Sequence, residues 1–203
     1  MLPLDMDDSK LRSSIEDGIR TKQQFLANCV PSVQALCELA VATLKGGGKI
    51  LLCGNGGSSC DAAHAAGELV GWFEHKQRPG YAAIALGHQV PSLTAIGNDA
   101  GYEQVFCREV EAIGRPGDLL VGFTTSGGSR NVVLALQQAR AMGLATAVLC
   151  GEKRGAAIEH ADVAVQVPST NTARIQECHL VCVHLVCAAV EDALGDVTSP
   201  VAP

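Results

Sequence analysis

The chain has 203 residues, 47% hydrophobic and 18% charged, a balance that excludes disorder and suits one domain with a substantial core. A net charge of −6 gives no reason to expect nucleic acid, which needs a basic face. No apolar run approaches the roughly 18 residues of a membrane span, and the first residues lack the basic and apolar blocks of a signal peptide.

Nine cysteines without a CxxC pair read as small buried hydrophobes of a reducing cytoplasm. Cys178 and Cys182, one helical turn apart, are read the same way, with metal binding as the alternative. Aromatic residues make up only 3%, so Ala, Val and Leu must fill the core, as suits helices packed tightly on a sheet.

Residues 9–28 predict a helix, with Leu11, Ile15, Ile19 and Phe25 at helical intervals. Pro31 opens a second helix to residue 44, which Gly46-Gly47-Gly48 ends. Two helices are more than a minimal βα domain needs, and their amphipathic pattern predicts packing against another subunit. From residue 49 the order becomes strand, loop, helix. Strands are expected at 49–53, 81–86, 119–123, 145–149 and 163–167. Helices are expected at 59–73, 90–97 with 102–112, 130–142, a short one near 155–159, and a long final one at 172–194. Breakers in 195–203 predict a frayed tail. Short apolar strands alternating with helices indicate one α/β domain with a parallel sheet covered on both faces.

Ligands bind such sheets at the carboxyl ends of the strands, and two of those ends are small and polar. One is Thr124-Thr125-Ser126-Gly127-Gly128-Ser129, which sets four hydroxyls and glycine amides before a helix. A helix N-terminus presents unpaired N–H groups and partial positive charge, which suits a phosphate; an ordinary N-cap is the alternative. No Gly-Lys-Ser/Thr follows, so it is not a nucleoside triphosphate loop. The other end is Gly54-Asn55-Gly56-Gly57-Ser58-Ser59. Its glycines allow close backbone approach, and its spacing fails the dinucleotide pattern. The following helix carries His64 and Glu68 at i and i+4, on one face. That pair can bind a metal or simply each other. The last helix carries Gln176, His179 and His184 on an otherwise apolar surface, where a buried polar group needs a partner. Hydrogen-bonded core histidines are the alternative there.

Together, Gly54-Asn-Gly-Gly-Ser-x-x-Asp-Ala-x-His-x-x-x-Glu68, Ala95-Ile-Gly-Asn-Asp99, Thr125-Ser-Gly127 and Ile175-Gln-Glu-x-His-Leu180 resemble the bacterial phosphoheptose isomerases of the sugar isomerase (SIS) domain group. The similarity runs from about residue 13 to residue 194. It implies a flavodoxin-like three-layer αβα sandwich around a five-stranded parallel sheet, with extra N-terminal helices. The implied reaction interconverts D-sedoheptulose 7-phosphate and D-glycero-D-manno-heptose 7-phosphate through an enediol, the first step of ADP- or GDP-heptose biosynthesis. The resemblance also implies zinc held by His64, Glu68, Gln176 and His184, with Glu68 as base and His184 as acid. Substrate contacts are implied for Asn55, Gly56, Gly57, Glu68, Asn98, Asp99, Thr124, Thr125, Ser126, Ser129 and Gln176. Homotetramers with active sites between subunits are implied as well.

Gln176 and His184 are eight residues apart, roughly 12 Å of helical rise. Their side chains must therefore converge, the helix must bend or start late, or the two must come from different chains. Three positions depart from the family pattern: Trp72 for a usual arginine, Asn171 for an aspartate and Ala100 for an aromatic. Trp72 removes a charge suited to a phosphate or polyol, with Arg78 and Arg130 as nearby cations able to compensate. A non-catalytic SIS protein regulating replication initiation, or an isomerase of another sugar phosphate, are the competing readings.

Overall fold

In a computed structural model, residues 7–195 are described; the expected frayed tail falls, beyond Gly195, outside them. The strands are β1 Ile50–Gly54, β2 Ala83–Ala85, β3 Leu119–Thr124, β4 Ala145–Gly151 and β5 Val163–Val167. The helices are α1 Asp8–Lys45, α2 Gly57–Val70, α3 Val90–Asp99, α4 Val105–Ile113, α5 Arg130–Ala141 and α6 Thr172–Leu194. Short 3-10 turns lie at Tyr102–Gln104 and Ala156–His160.

All five strands are parallel, in the order β2-β1-β3-β4-β5. Strand order reverses between β1 and β3, so their carboxyl ends form the switch-point crevice. Alternate residues feed opposite faces. Ile50 and Leu52 pack with Leu36 of α1, Leu69 of α2 and Cys182 of α6, whereas Leu51 and Cys53 pack with Val110 of α4 and Leu136 of α5. The three-layer αβα sandwich follows directly from that alternation.

The N-terminus differs from the sequence expectation of two helices: α1 is continuous through Pro31. Asp7 caps it, accepting the Lys10 N–H at 2.9 Å. A mid-helix proline loses one hydrogen bond and costs about 3 kcal/mol. Here the buried stripe Phe25, Cys29, Val33, Leu36, Ala40 runs past it at helical spacing, and Pro31 itself faces solvent. Continuous burial outweighs the local break. α1 is also long and apolar enough, by length and composition, to cross a membrane; its buried stripe is committed to the sheet and α6.

On α6, His179 is fully buried edge-on to Phe123, with ring centroids 5.8 Å apart. Neither ring nitrogen makes a hydrogen bond of normal geometry. Burial holds its pKa down at about 4, against a weaker opposing pull from the Cys150 backbone.

Candidate active site

Glycines and hydroxyls shape the two carboxyl ends that flank the switch point. Gly56 adopts φ 55° and ψ −122° immediately before α2, a conformation that favours glycine. Gly57 is small for another reason: a Cβ there would come within 2.3 Å of Gln176 Nε2. Across the crevice, buried Thr124 places Oγ1 2.9 Å from Ser129 Oγ, and Ser126 Oγ accepts the Gly128 N–H at 3.2 Å. Ser129 is the N-cap residue of α5 yet makes no side-chain capping bond. The Val132 N–H is taken by Asn131 Oδ1 at 3.0 Å, which leaves the N–H groups of Arg130 and Asn131 at this helix end for an anion.

A reciprocal amide pair ties the two loops together. Asn55 Nδ2 donates to Asn131 Oδ1 at 2.9 Å, and Asn131 Nδ2 donates back to Asn55 Oδ1 at 2.8 Å. Tyr102 O–H donates to the same Asn55 oxygen at 3.0 Å. The Asn55 carboxamide is thus a latch within the chain. Sequence reading missed Asn131 and Tyr102; the available signal was a polar residue in the first turn of the apolar helix that follows the hydroxyl loop.

At ~100° per residue, Gly57, Asp61, His64 and Glu68 form one stripe along α2, and α6 meets that stripe at Gln176 and His184. His64 Nε2 lies 3.1 Å from His184 Nε2 and 3.6 Å from Glu68 Oε1. Facing lone pairs repel, so nitrogens this close must share a proton or a cation. A tetrahedral divalent ion with metal–nitrogen distances of about 2.0–2.1 Å sets two nitrogens about 3.3 Å apart, so the pair stands at ligand spacing. Glu68 lies just outside it, and no group of three His, Cys, Asp or Glu among the described residues is drawn into a ready metal cage. Gln176 packs over Gly57, roughly 10 Å of helix before His64. Of the four expected donors, one chain gathers His64, Glu68 and His184 and leaves Gln176 at the crevice.

Asp61, on the same stripe, had no role assigned from sequence. Its Oδ2 is buried without a hydrogen-bond partner. Burial pushes the carboxyl up to about 6, against the opposing pull of His64. A buried, unpartnered carboxyl beside a histidine is a functional-site candidate.

A family model described as SIS domain matches residues 15–151. The phosphoheptose isomerase of Roseiflexus sp. (strain RS-1) is 48% identical over 180 residues, covering 89% of this chain and 91% of its own. The chain belongs to the phosphoheptose isomerase family. Solved phosphoheptose isomerases share its fold. That of Neisseria gonorrhoeae superimposes with a TM-score of 0.85 at 38% identity, over 91% of this chain and 98% of that one. That of Francisella tularensis gives 0.88 at 35%, over 92% and 100%.

Other residues singled out by the family resemblance are placed less centrally. Asn98 and Asp99 end α3, exposed, and Asn98 Nδ2 donates to Asp99 Oδ1 at 2.7 Å. Thr125 gives its carbonyl to the Gly151 N–H at 3.2 Å. Asn171 is the N-cap of α6 and accepts the Ala173 N–H at 3.0 Å, a role an aspartate fills equally well. Ala100 is the C-cap of α3. Trp72 is 61% exposed. Arg78 is no compensating cation: it is buried in an ion pair with Glu191. Arg130, exposed at the start of α5, is left as the cation beside the hydroxyl loop.

Proposed function

We infer that the protein is an aldose–ketose isomerase interconverting D-sedoheptulose 7-phosphate and D-glycero-D-manno-heptose 7-phosphate. The observation that carries this reading is the convergence of His64, Glu68 and His184 along the face of α2 whose first turn borders the switch-point crevice of a phosphoheptose isomerase fold. The loop at 124–129 takes the phosphate through hydroxyls and helix-end N–H groups, and Gly56 and Gly57 let the sugar approach the backbone. Moving hydrogen between C1 and C2 needs a base, an acid and a stabilised oxyanion. Glu68 removes a proton from C1 of the ketose while His184 protonates the C2 oxygen, giving the enediol. Glu68 then delivers its proton to C2 as His184 recovers one from the C1 oxygen, which closes the cycle without net proton change.

Zinc is the proposed cofactor, which His64, Glu68 and His184 would hold. Gln176, the fourth donor that the resemblance implies, stands at the crevice of the same chain and would join such an ion from another subunit. When bound, zinc would polarise the sugar oxygens. The donor set of two imidazoles and a carboxylate suits that ion. Incubating purified protein with sedoheptulose 7-phosphate, with and without zinc and a chelator, tests both statements. Absence of aldose under every metal condition sinks the reaction, and full activity after exhaustive chelation sinks the zinc.

A homotetramer with active sites at subunit contacts is part of the same proposal. Leu11, Ile15, Ile19, Leu26 and Val30 form an exposed stripe on α1, continued by Leu185 of α6, and Leu26, Val30, Val33, Val181 and Leu185 line a shared cleft. Apolar stripes of this kind are normally covered. Light scattering should give four chains for the wild type and a smaller species for Ile15→Asp/Ile19→Asp; an unchanged mass in that variant removes α1 from the interface. All nine cysteines are free, which supports a reducing, cytoplasmic setting. Exposed Trp72, with Arg78 buried, favours a second reading in which the substrate is another sugar phosphate; turnover of a pentose or hexose phosphate exceeding that of the heptose would select it.

A further inference from the structure

The segment between α2 and β2 has no regular structure, and nearly all of residues 71–80 are exposed or partly exposed. Arg78 is the exception. Its side chain and that of Glu191 are each 1% exposed, with Arg78 Nε 2.6 Å from Glu191 Oε1. Glu191 also accepts three consecutive backbone N–H groups, from Phe73 at 3.1 Å and from Glu74 and His75 at 2.9 Å each. Arg78 gives its other donors to the carbonyls of Glu68 at 2.6 Å and of Leu69 and Pro79 at 2.9 Å each, and its guanidinium lies 4.4 Å from the Tyr81 ring centroid.

A buried ion pair returns little net stability, because desolvation roughly cancels the attraction. What it fixes here is geometry. With its N–H bound to Glu191, Phe73 holds its ring against His184, centroids 5.4 Å apart and planes at 27°. That stack covers one side of the imidazole while Nε2 faces His64. On the other arm, Arg78 grips the backbone carbonyl of Glu68 at the last turn of α2, where a cation also complements the helix dipole. One buried pair therefore restrains the acid and the base of the reaction from opposite sides.

We propose that Arg78 and Glu191 form an internal bracket that positions His184 through Phe73, and Glu68 through the end of α2, so that Phe73 is a positioning residue of the isomerase. The proposal rests on the roles given above to His184 and Glu68. Glu191→Gln leaves Arg78 buried without its charge partner and is prone to misfolding, so the decisive variant is Phe73→Leu, which leaves the ion pair intact. Phe73→Leu should lower kcat about tenfold, in the range for groups that orient a reacting histidine, while KM and melting temperature stay near wild type. Phe73→Tyr, which restores a ring, should recover most of that loss. In 15N-histidine-labelled protein, the His184 ring signals should broaden in Phe73→Leu as the ring gains a second orientation. Wild-type kcat in Phe73→Leu overturns the bracket, and so does a loss that Phe73→Tyr fails to recover. His184→Ala separates the two levels: if it keeps wild-type turnover, the acid assignment has failed. If it is inactive while Phe73→Leu is not, only the bracket has failed.

Discussion

Two polar regions serve the crevice, and they are built on opposite plans. The cradle at the ends of β1 and β3 is made of consecutive small residues, with backbone groups and short hydroxyls held by the Asn55–Asn131 latch. The second region, between α6 and both α2 and the segment after it, is made of long side chains distant in sequence, exposed His64 with His184 and buried Arg78 with Glu191. The first plan can bind a phosphate without moving parts. The second can move protons, because its groups differ in environment over a few ångströms. Binding and chemistry are thereby separable, and variants can show it.

The largest effect is expected at the chemical end. Glu68→Gln should lower kcat by about 10²–10⁴-fold, the worth of a general base, with KM little changed and the fold intact by circular dichroism. Wild-type turnover there would remove Glu68 from its role. Asn131→Ala should do the reverse at the cradle. It leaves Asn55 Nδ2 without its acceptor, although Tyr102 still donates to Asn55 Oδ1. A penalty of about 1–3 kcal/mol for a partly buried donor that loses its partner should surface as a KM raised about tenfold, with kcat within a factor of about three. Equal losses in kcat and kcat/KM would mean that the latch serves the chemistry as well.

The smallest effects are in stability against pH, and their signs differ by group. Burial would raise the Glu191 carboxyl, but Arg78 and the N–H groups of Glu74, His75 and Phe73 outweigh it and hold it at about 2, below the ordinary 4.5. Its stabilisation is full above 4.5 and lost as pH falls toward 2. Neutral, buried His179 loses stability earlier, as pH falls from 6.5 toward 4. Asp61 runs the other way: raised to about 6 from 3.8, it destabilises increasingly as pH rises through that value. Thermal melts of metal-free protein should show Asp61→Asn more stable than wild type at pH 8 and indistinguishable at pH 3; equal melting at both would mean that the carboxyl is not strained.

The two plans also explain what could be read in advance. The α/β order, the sheet and both crevice loops were legible because each is written in adjacent residues with a fixed period or a run of glycine and hydroxyl. His64 and Glu68 were visible as an i, i+4 pair. His184 and His179 looked alike on their helix, and only packing separates them, the first against Phe73 and His64, the second inside the core. Asn131, Tyr102 and the Arg78–Glu191 pair were not legible, because each derives its meaning from a partner far along the chain. Pro31 misled for the same reason: a local break signal was overridden by a stripe of burial on either side of it.

The thiols carry a consequence of their own. Cys29 and Cys37 on α1 and Cys178, Cys182 and Cys187 on α6 pack into or against one core. Burial raises the pKa of all five, Cys187 to about 12. The fully buried ones, Cys29, Cys178, Cys182 and Cys187, should be inert to alkylation while the helix stays down, whereas exposed Cys60 should react at once. The slow phases of a thiol-labelling time course are therefore a clock for α1 lifting from the domain, a local opening that a melting curve averages away and that the proposed α1 contact between subunits should slow.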